Sequence, residues 1–448
     1  MTLGPAWSTD RIDTALRELA AGDVRWTEGR VFSLAYDAGP EVRAVADRAY
    51  ATFSSANGLN TDAFPSLRTM QNDVVAVVRD WVHAPSSAAG FMTSGGTESI
   101  LMAVKAASER GRRERGVAAP NMVLPISAHA AFDKAAHYFG VECRRAAVGS
   151  DWRADPNAMA ELVDDDTVLL VGSAPQYPQG VIDPVPAIAD IGATRNVNVH
   201  VDACMGGVTL PYLERGGETV APWDFRVDGV TSISVDLHKY GYTAKGASVV
   251  LYRDKVQRSY QTFVTDSWLG GLYGSSGVLG TKSGGPIAAA WAVLHFLGDE
   301  GYQRLTDAAR RAALELAAAI RDTPQLVLRA WPDSTLVSFG ASTDVDALAA
   351  GLARRGWYVD RQGPPPSLHC TVHAGHLDTV SAFVDQLVAA SRSVAHPRLG
   401  TPSGEETEAG AICGVDHLLQ QFDRPLGRSE ASQAGATPGR AAEGVAVG

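Results

Sequence analysis

Four short stretches hold residues whose types and spacing could do chemistry. The first is 231–252, TSISVDLHKYGYTAKGASVVLY. Its alternating, β-branched start (231–235) and the apolar run at 247–252 read as two strands, so Lys239 is expected in a tight loop between them. Burial there would lower the pKa of the ammonium and leave a neutral, nucleophilic amine. The second is 90–98, GFMTSGGTE, ahead of a helical pattern with Ile100, Leu101, Val104 and Ala107 apolar. Gly95, Gly96 and Thr97 then fall at a helix N-terminus. Free N–H groups and the helix dipole favour an anion there, and glycine lets its oxygens reach the backbone. Thr97 can cap the helix or donate to a phosphate. The third is His129, at the corner between a strand at 121–126 and the following helix, where α/β folds commonly place ligands. The fourth is Asp202, ending the run NVHVD at 198–202. A carboxylate at the carboxyl end of a buried strand calls for a cation or a metal. His200, two residues earlier, shares its sheet face.

Taken singly, each has a plainer reading: a solvated loop lysine, a glycine turn with a threonine cap, a packing histidine, an ion-paired aspartate. Together they meet the needs of pyridoxal phosphate. The phosphate needs a helix N-terminus, and the ring needs a flat stacking partner. The pyridine nitrogen needs a carboxylate to stay protonated, and the aldehyde needs an amine.

The elements that would position these groups follow from periodicity. Apolar strands alternating with helices over 90–255 imply βα units, a mostly parallel sheet and an α/β fold. Helices are predicted at 13–19, 40–53, 67–81, 99–112, 184–195, 256–263, 287–297 and 301–320. A small α+β domain follows, with strands at 325–328, 335–339 and 367–372 and helices at 345–355 and 377–390. Residues 264–286 read as a glycine-rich loop, too long to be idle. The expected organisation is an N-terminal segment (1–65), a large cofactor-binding domain (66–300), a small C-terminal domain (301–415) and a disordered Gly/Ala-rich tail (416–448).

Composition narrows the function classes. The 448 residues are 45% hydrophobic and 20% charged, with a formal net charge of −11. No basic patch suits nucleic acid, so an anionic ligand needs locally placed cations. The four cysteines, at 143, 204, 370 and 413, form no CxxC pair and suggest neither a zinc site nor a disulfide scaffold. A reduced, cytoplasmic setting is expected. No secretory signal pattern and no long apolar run are present, so neither a signal peptide nor a transmembrane helix is expected.

Longer segments resemble a known family. They are TSGGTESILMAVKA (93–106), SAHAAFDKAAHYFG (127–140), PQYPQGVIDPVP (175–186), HVDACMGG (200–207), FRVDGVTSISVDLHKYGYTAKGASVVLYR (225–253) and WLGGLYGSSGVLGTKSGG (268–285). In order and content they are similar to fold-type I pyridoxal-phosphate enzymes of the group II decarboxylase family, most of all to the sphingosine-1-phosphate lyases. The resemblance implies an aspartate aminotransferase-like fold with a mostly parallel, seven-stranded type of sheet and an obligate homodimer with shared active sites. It implies a small phosphorylated amine as substrate and retro-aldol carbon–carbon cleavage. Amino-acid decarboxylation, a lyase reaction on a different phosphorylated amine, and a non-catalytic scaffold are the alternatives. Lys239 matches the Schiff-base lysine, Asp202 the pyridinium partner and His129 the stacked histidine. Gly96, Thr97 and His238 match cofactor-phosphate contacts. Thr281 lies where a neighbouring subunit reaches that phosphate. Tyr36 and Lys245 match residues that hold the substrate phosphate. Asn60 stands where that clamp has histidine, Ser55 where tryptophan is typical, Lys282 where arginine is usual, and Thr243-Ala244 where Ala-Pro is.

Overall fold

A computed structural model of the chain describes residues 5–395. The expected tail at 416–448 and the end of the expected small domain lie outside the described residues. The described residues divide into two compact units, residues 5–24 and residues 25–395. In the first, helix α1 (Thr9–Ala20) starts where the Ser8 hydroxyl accepts the Arg11 amide, and no residue of the helix is buried.

The second unit is built on a seven-stranded sheet. Its strands are β1 (Ala89–Thr93), β2 (Asn121–Pro125), β3 (Glu142–Ala146), β4 (Thr167–Ser173), β5 (Asn198–Asp202), β6 (Ser232–Asp236) and β7 (Ser248–Tyr252), in the order β1-β7-β6-β5-β4-β2-β3. Strands β2 to β6 are parallel, and β7 runs antiparallel to both β6 and β1. The covering helices are α2 (Pro40–Phe53), α3 (Pro65–Trp81), α4 (Gly96–Arg115), α5 (Ala131–Phe139), α6 (Pro156–Glu161), α7 (Val185–Arg195) and α8 (Thr209–Arg215). Both sheet faces are covered, so the interior strands β4, β5, β6 and β7 are buried along their whole length, polar residues included. Strand β7 shows the period of two: Val249 and Leu251 pack with Leu67, Val74 and Ile287, whereas Val250 and Tyr252 pack with Ile100, Val104 and Phe132.

Beyond the sheet come α9 (Lys255–Ser259) and a hairpin of β8 (Phe263–Thr265) and β9 (Tyr273–Ser275). Helix α10 (Gly285–Arg321) is kinked at Gly298 and leads into a four-stranded antiparallel sheet. That sheet comprises β10 (Leu326–Leu328), β11 (Leu336–Ala341), β12 (Asp360–Gln362) and β13 (Ser367–Thr371), with α11 (Val345–Ala353) and α12 (Val380–Ala395) beside it. Val337, Phe339, Leu348, Leu368 and Phe383 form its core.

Several expectations need correcting. The helix predicted over 256–263 ends at Ser259, and Phe263 already belongs to β8. The presumed loop at 264–286 contains most of a hairpin. The periodicity misses β1, β3, β12, α6 and α8. Strands β3 (ECRRA) and β12 (DRQ) are sheet edges with solvated side chains, so they carry no apolar alternation to read.

Candidate active site

A cavity of about 380 Å³ opens where β4, β5 and β6 end, the usual ligand position of an open α/β sheet. Its wall brings together Gly95, Gly96, Thr97, His129, Asp202, His238 and Lys239. Tyr177, Cys204 and Asp236 stand in the same wall, and the sequence pattern gives them no role.

The anion cradle comes from the start of α4. Gly95 is its N-cap at φ 153°, a backbone state that favours glycine, and it makes no side-chain cap hydrogen bond. The first amides of α4 therefore lack a side-chain cap and are available to an anion. A Cβ on Gly96 would sit 2.7 Å from Asp236 Oδ2 and 2.8 Å from Cys204 Sγ, so the close approach requires glycine. Glu98 braces the cradle from behind. Its carboxylate accepts the Ser94 amide at 2.6 Å and the Val278 amide at 2.7 Å, tying in the chain after β9.

Lys239 follows β6 by three residues. Its Nζ lies 3.0 Å from Asp236 Oδ2, the last residue of that strand. The expectation of a lowered pKa is wrong. Burial pushes the ammonium down, but the charge of Asp236, with smaller contributions from Cys204 and Asp202, outweighs it and the net shift is upward. In the same pair, burial pushes Asp236 up, while Lys239 and His238 bring its carboxyl below the usual range. The sequence does carry a signal for this, a carboxylate three residues before the lysine. Asp236 Oδ1 and His238 Nδ1 are buried without a hydrogen-bond partner among the described residues.

Asp202 ends β5 and is 8% exposed. Its Oδ1 accepts the Cys204 amide at 3.0 Å and the Ser234 hydroxyl at 3.3 Å, which fix the carboxylate's orientation. His200 lies 3.2 Å from the same serine through Nε2 and 2.9 Å from Ser232 through Nδ1. Burial pushes its pKa down to about 4, so it is a neutral brace rather than a second cation. His129 is exposed at the rim, and its Nδ1 accepts the Ala131 amide at 3.0 Å, fixing the ring.

The residues expected to hold a substrate phosphate are less closely gathered. Lys245 Nζ lies 5.2 Å from the centre of the Tyr36 ring and donates to the His238 carbonyl at 3.3 Å. Burial, and then the neighbouring Lys239, lower its pKa. The Tyr36 hydroxyl lies 3.9 Å from the sulfur of Met205, which lines the cavity. Asn60 is apart from this group: it is exposed, and its side-chain oxygen accepts the Asp62 and Ala63 amides, closing a local turn. Thr281 is also exposed and outside the cavity wall.

The cradle, the carboxylate of Asp202, the amine of Lys239 and the unpartnered His238 nitrogen fit pyridoxal phosphate. Among the described residues no cluster of three or more His, Cys, Asp or Glu could hold a metal, and no helix is long and apolar enough to cross a membrane.

Known proteins agree with this geometry. Residues 7–342 match the family model described as the pyridoxal-dependent decarboxylase conserved domain. Sphingosine-1-phosphate lyase 1 of Rattus norvegicus is 37% identical over 410 residues, which cover 91% of this chain and 72% of that one. A sphingosine-1-phosphate lyase structure from Burkholderia pseudomallei superposes with a TM-score of 0.87 at 35% identity, covering 94% of this chain and 96% of the other. Glutamate decarboxylase of Lactobacillus brevis, 20% identical with a TM-score of 0.79, shares the fold; it covers 89% of this chain and 96% of its own. The chain thus belongs to the pyridoxal-phosphate-dependent decarboxylase family, within its sphingosine-1-phosphate lyase group, and is a pyridoxal-phosphate-dependent lyase.

Proposed function

We propose that this lyase cleaves the Cα–Cβ bond of sphingosine 1-phosphate, releasing a long-chain aldehyde and phosphoethanolamine. The observation that carries the reading is a second lysine beside the cofactor floor. Lys245 sits against Tyr36, six residues past Lys239, and makes no ion pair among the described residues. A phosphate on the substrate would give that cation a partner, whereas a simple amino-acid decarboxylation leaves it without one.

When bound, pyridoxal phosphate supplies an electron-accepting ring that takes up the electron pair left by the broken bond. The rest is done by the chain. The first amides of α4, with Thr97 and His238, would hold the cofactor phosphate. Asp202, oriented by the Cys204 amide and the Ser234 hydroxyl, would pair with the ring nitrogen. His129 would cover the ring. Lys239 supplies the amine, and Asp236 stabilises its proton at Nζ. Lys245 and Tyr36 hold the substrate phosphate and orient the C3 hydroxyl for deprotonation.

A homodimer completes the reading. It is supported by the exposure of Thr281, between β9 and α10, and by Trp268, Leu269 and Leu272, large apolar residues standing in solvent in the turn between β8 and β9. Sedimentation of the purified protein tests it. The reaction itself is tested by offering sphingosine 1-phosphate to cofactor-loaded protein. Equal amounts of aldehyde and phosphoethanolamine are expected. Carbon dioxide from free amino acids, with no aldehyde, would replace the reading with decarboxylation.

A further inference from the structure

A second cavity, of about 350 Å³, adjoins the first and takes no part in the chemistry described above. No residue lines both, but neighbouring residues of the same two stretches of chain line one or the other. Ser127 faces the second cavity and His129 the first, while Tyr177 faces the first and its neighbour Pro178 the second. The second cavity forms where the two sheets meet. Ile126, Val148, Trp152 and Pro178 come from loops of the large sheet, and Pro364 and Pro365 from the turn between β12 and β13. Two hydrogen bonds hold these parts together. Gln362 Nε2 donates to the Pro178 carbonyl at 2.5 Å, and Trp152 Nε1 donates to the Arg329 carbonyl at 2.9 Å.

The chemistry of the wall selects its ligand. None of its ten lining residues is charged, and most are apolar, so an anion or cation would find no counter-charge there. The catalytic cavity is near the lower end of the size range for one small ligand, and the cofactor would fill it. A long alkyl chain on the substrate therefore needs a separate place to leave water. We propose that the second cavity holds the alkyl chain of the substrate next to its reacting carbon and so sets chain-length preference. This rests on the lyase reading above. Each methylene buried there contributes about fourfold to binding.

Two variants test the proposal in the full, cofactor-loaded protein. Val148→Trp fills the cavity. Ile126→Asp puts a charge on its wall at a side chain 57% exposed, where folding tolerates it. Each is assayed with sphingosine 1-phosphate and with a short-chain analogue carrying the same headgroup. Both variants should raise KM for the long-chain substrate by about tenfold or more, the worth of two buried methylenes, and leave the short-chain analogue unchanged. Equal effects on both substrates, or on neither, would overturn the proposal. Calorimetric binding of sphingosine 1-phosphate keeps the two readings apart. If the wild type cleaves neither compound, the reaction reading fails. Tight binding lost in Ile126→Asp would still support the cavity as an alkyl site, and binding unaffected by the substitution would dismiss it.

Discussion

The floor of the active site and its rim are built differently. Asp202 and Asp236 are the last residues of β5 and β6, Gly96 opens α4, and Lys239 follows β6 by three residues. Both aspartates are buried and tied to neighbours. The rim residues Tyr36, Asn60, Lys245 and Thr281 all lie on connections, and three of the four are exposed. A buried charge is costly unless partnered, so the floor tolerates little change. A loop residue meeting water on one side can change at small cost, and substrate preference can move there while the reaction stays the same. Asn60, exposed in a local turn of such a connection, is a position of this kind.

The largest expected effect tests the floor. Lys239→Ala should lower turnover by more than about a thousandfold, the scale seen when a nucleophile is removed, and abolish the absorbance of lysine-bound cofactor. Retention of a tenth of wild-type activity would move the reacting amine elsewhere. Gly96→Ala places a Cβ against Asp236 and Cys204. Overpacking of this kind costs about 1–3 kcal/mol, read as a lower denaturation midpoint together with weaker cofactor binding.

The rim should respond with a different signature. Lys245→Met should raise KM for a phosphorylated substrate about tenfold with kcat little changed, as loss of a charged hydrogen bond to the substrate predicts. A fall in kcat with constant KM would assign Lys245 to the floor instead.

The pairing of Asp236 with Lys239 makes a subtler prediction. The carboxylate holds the ammonium's pKa up, and a neutral amine is needed to capture the cofactor aldehyde, so wild-type uptake should speed up as pH rises. In Asp236→Asn burial acts without the opposing charge, and the whole uptake curve should move to lower pH. A curve that stays in place would mean that Asp236 does not set the charge of Lys239.

The smallest effect lies between floor and rim. Lys282 donates to the Met92 carbonyl at 3.1 Å, and burial pushes its pKa down to about 8 from 10.5. Between those values the unfolded chain binds more protons than the folded one, so this lysine makes stability rise with pH from about 8 upward. Denaturation of wild type and Lys282→Met across that window should show the rise attenuated in the variant.

Much of this site is legible in the amino-acid order. Gly95, Gly96 and Thr97 stand directly ahead of a helical pattern, and Asp202 directly ends an apolar strand, so each role rests on a few consecutive residues. Glu98 is not legible in this way, because its second partner, Val278, is 180 residues away. Asp236 is visible three residues before Lys239, but spacing alone does not say that the two side chains meet at 3.0 Å. The edge strands β3 and β12 escape notice because solvated strands lose the apolar alternation that marks them.

Which chemical groups the site has, and which element carries each, is therefore settled by local sequence. Helix starts, strand ends and tight loops depend on residues within a turn or two. The charge on Lys239, the bracing of the cradle by a distant connection and the second cavity between the two sheets arise from the folded arrangement alone. Coulombic attraction and desolvation depend on distances across the fold, and those distances exist only once the strands are paired and the helices packed.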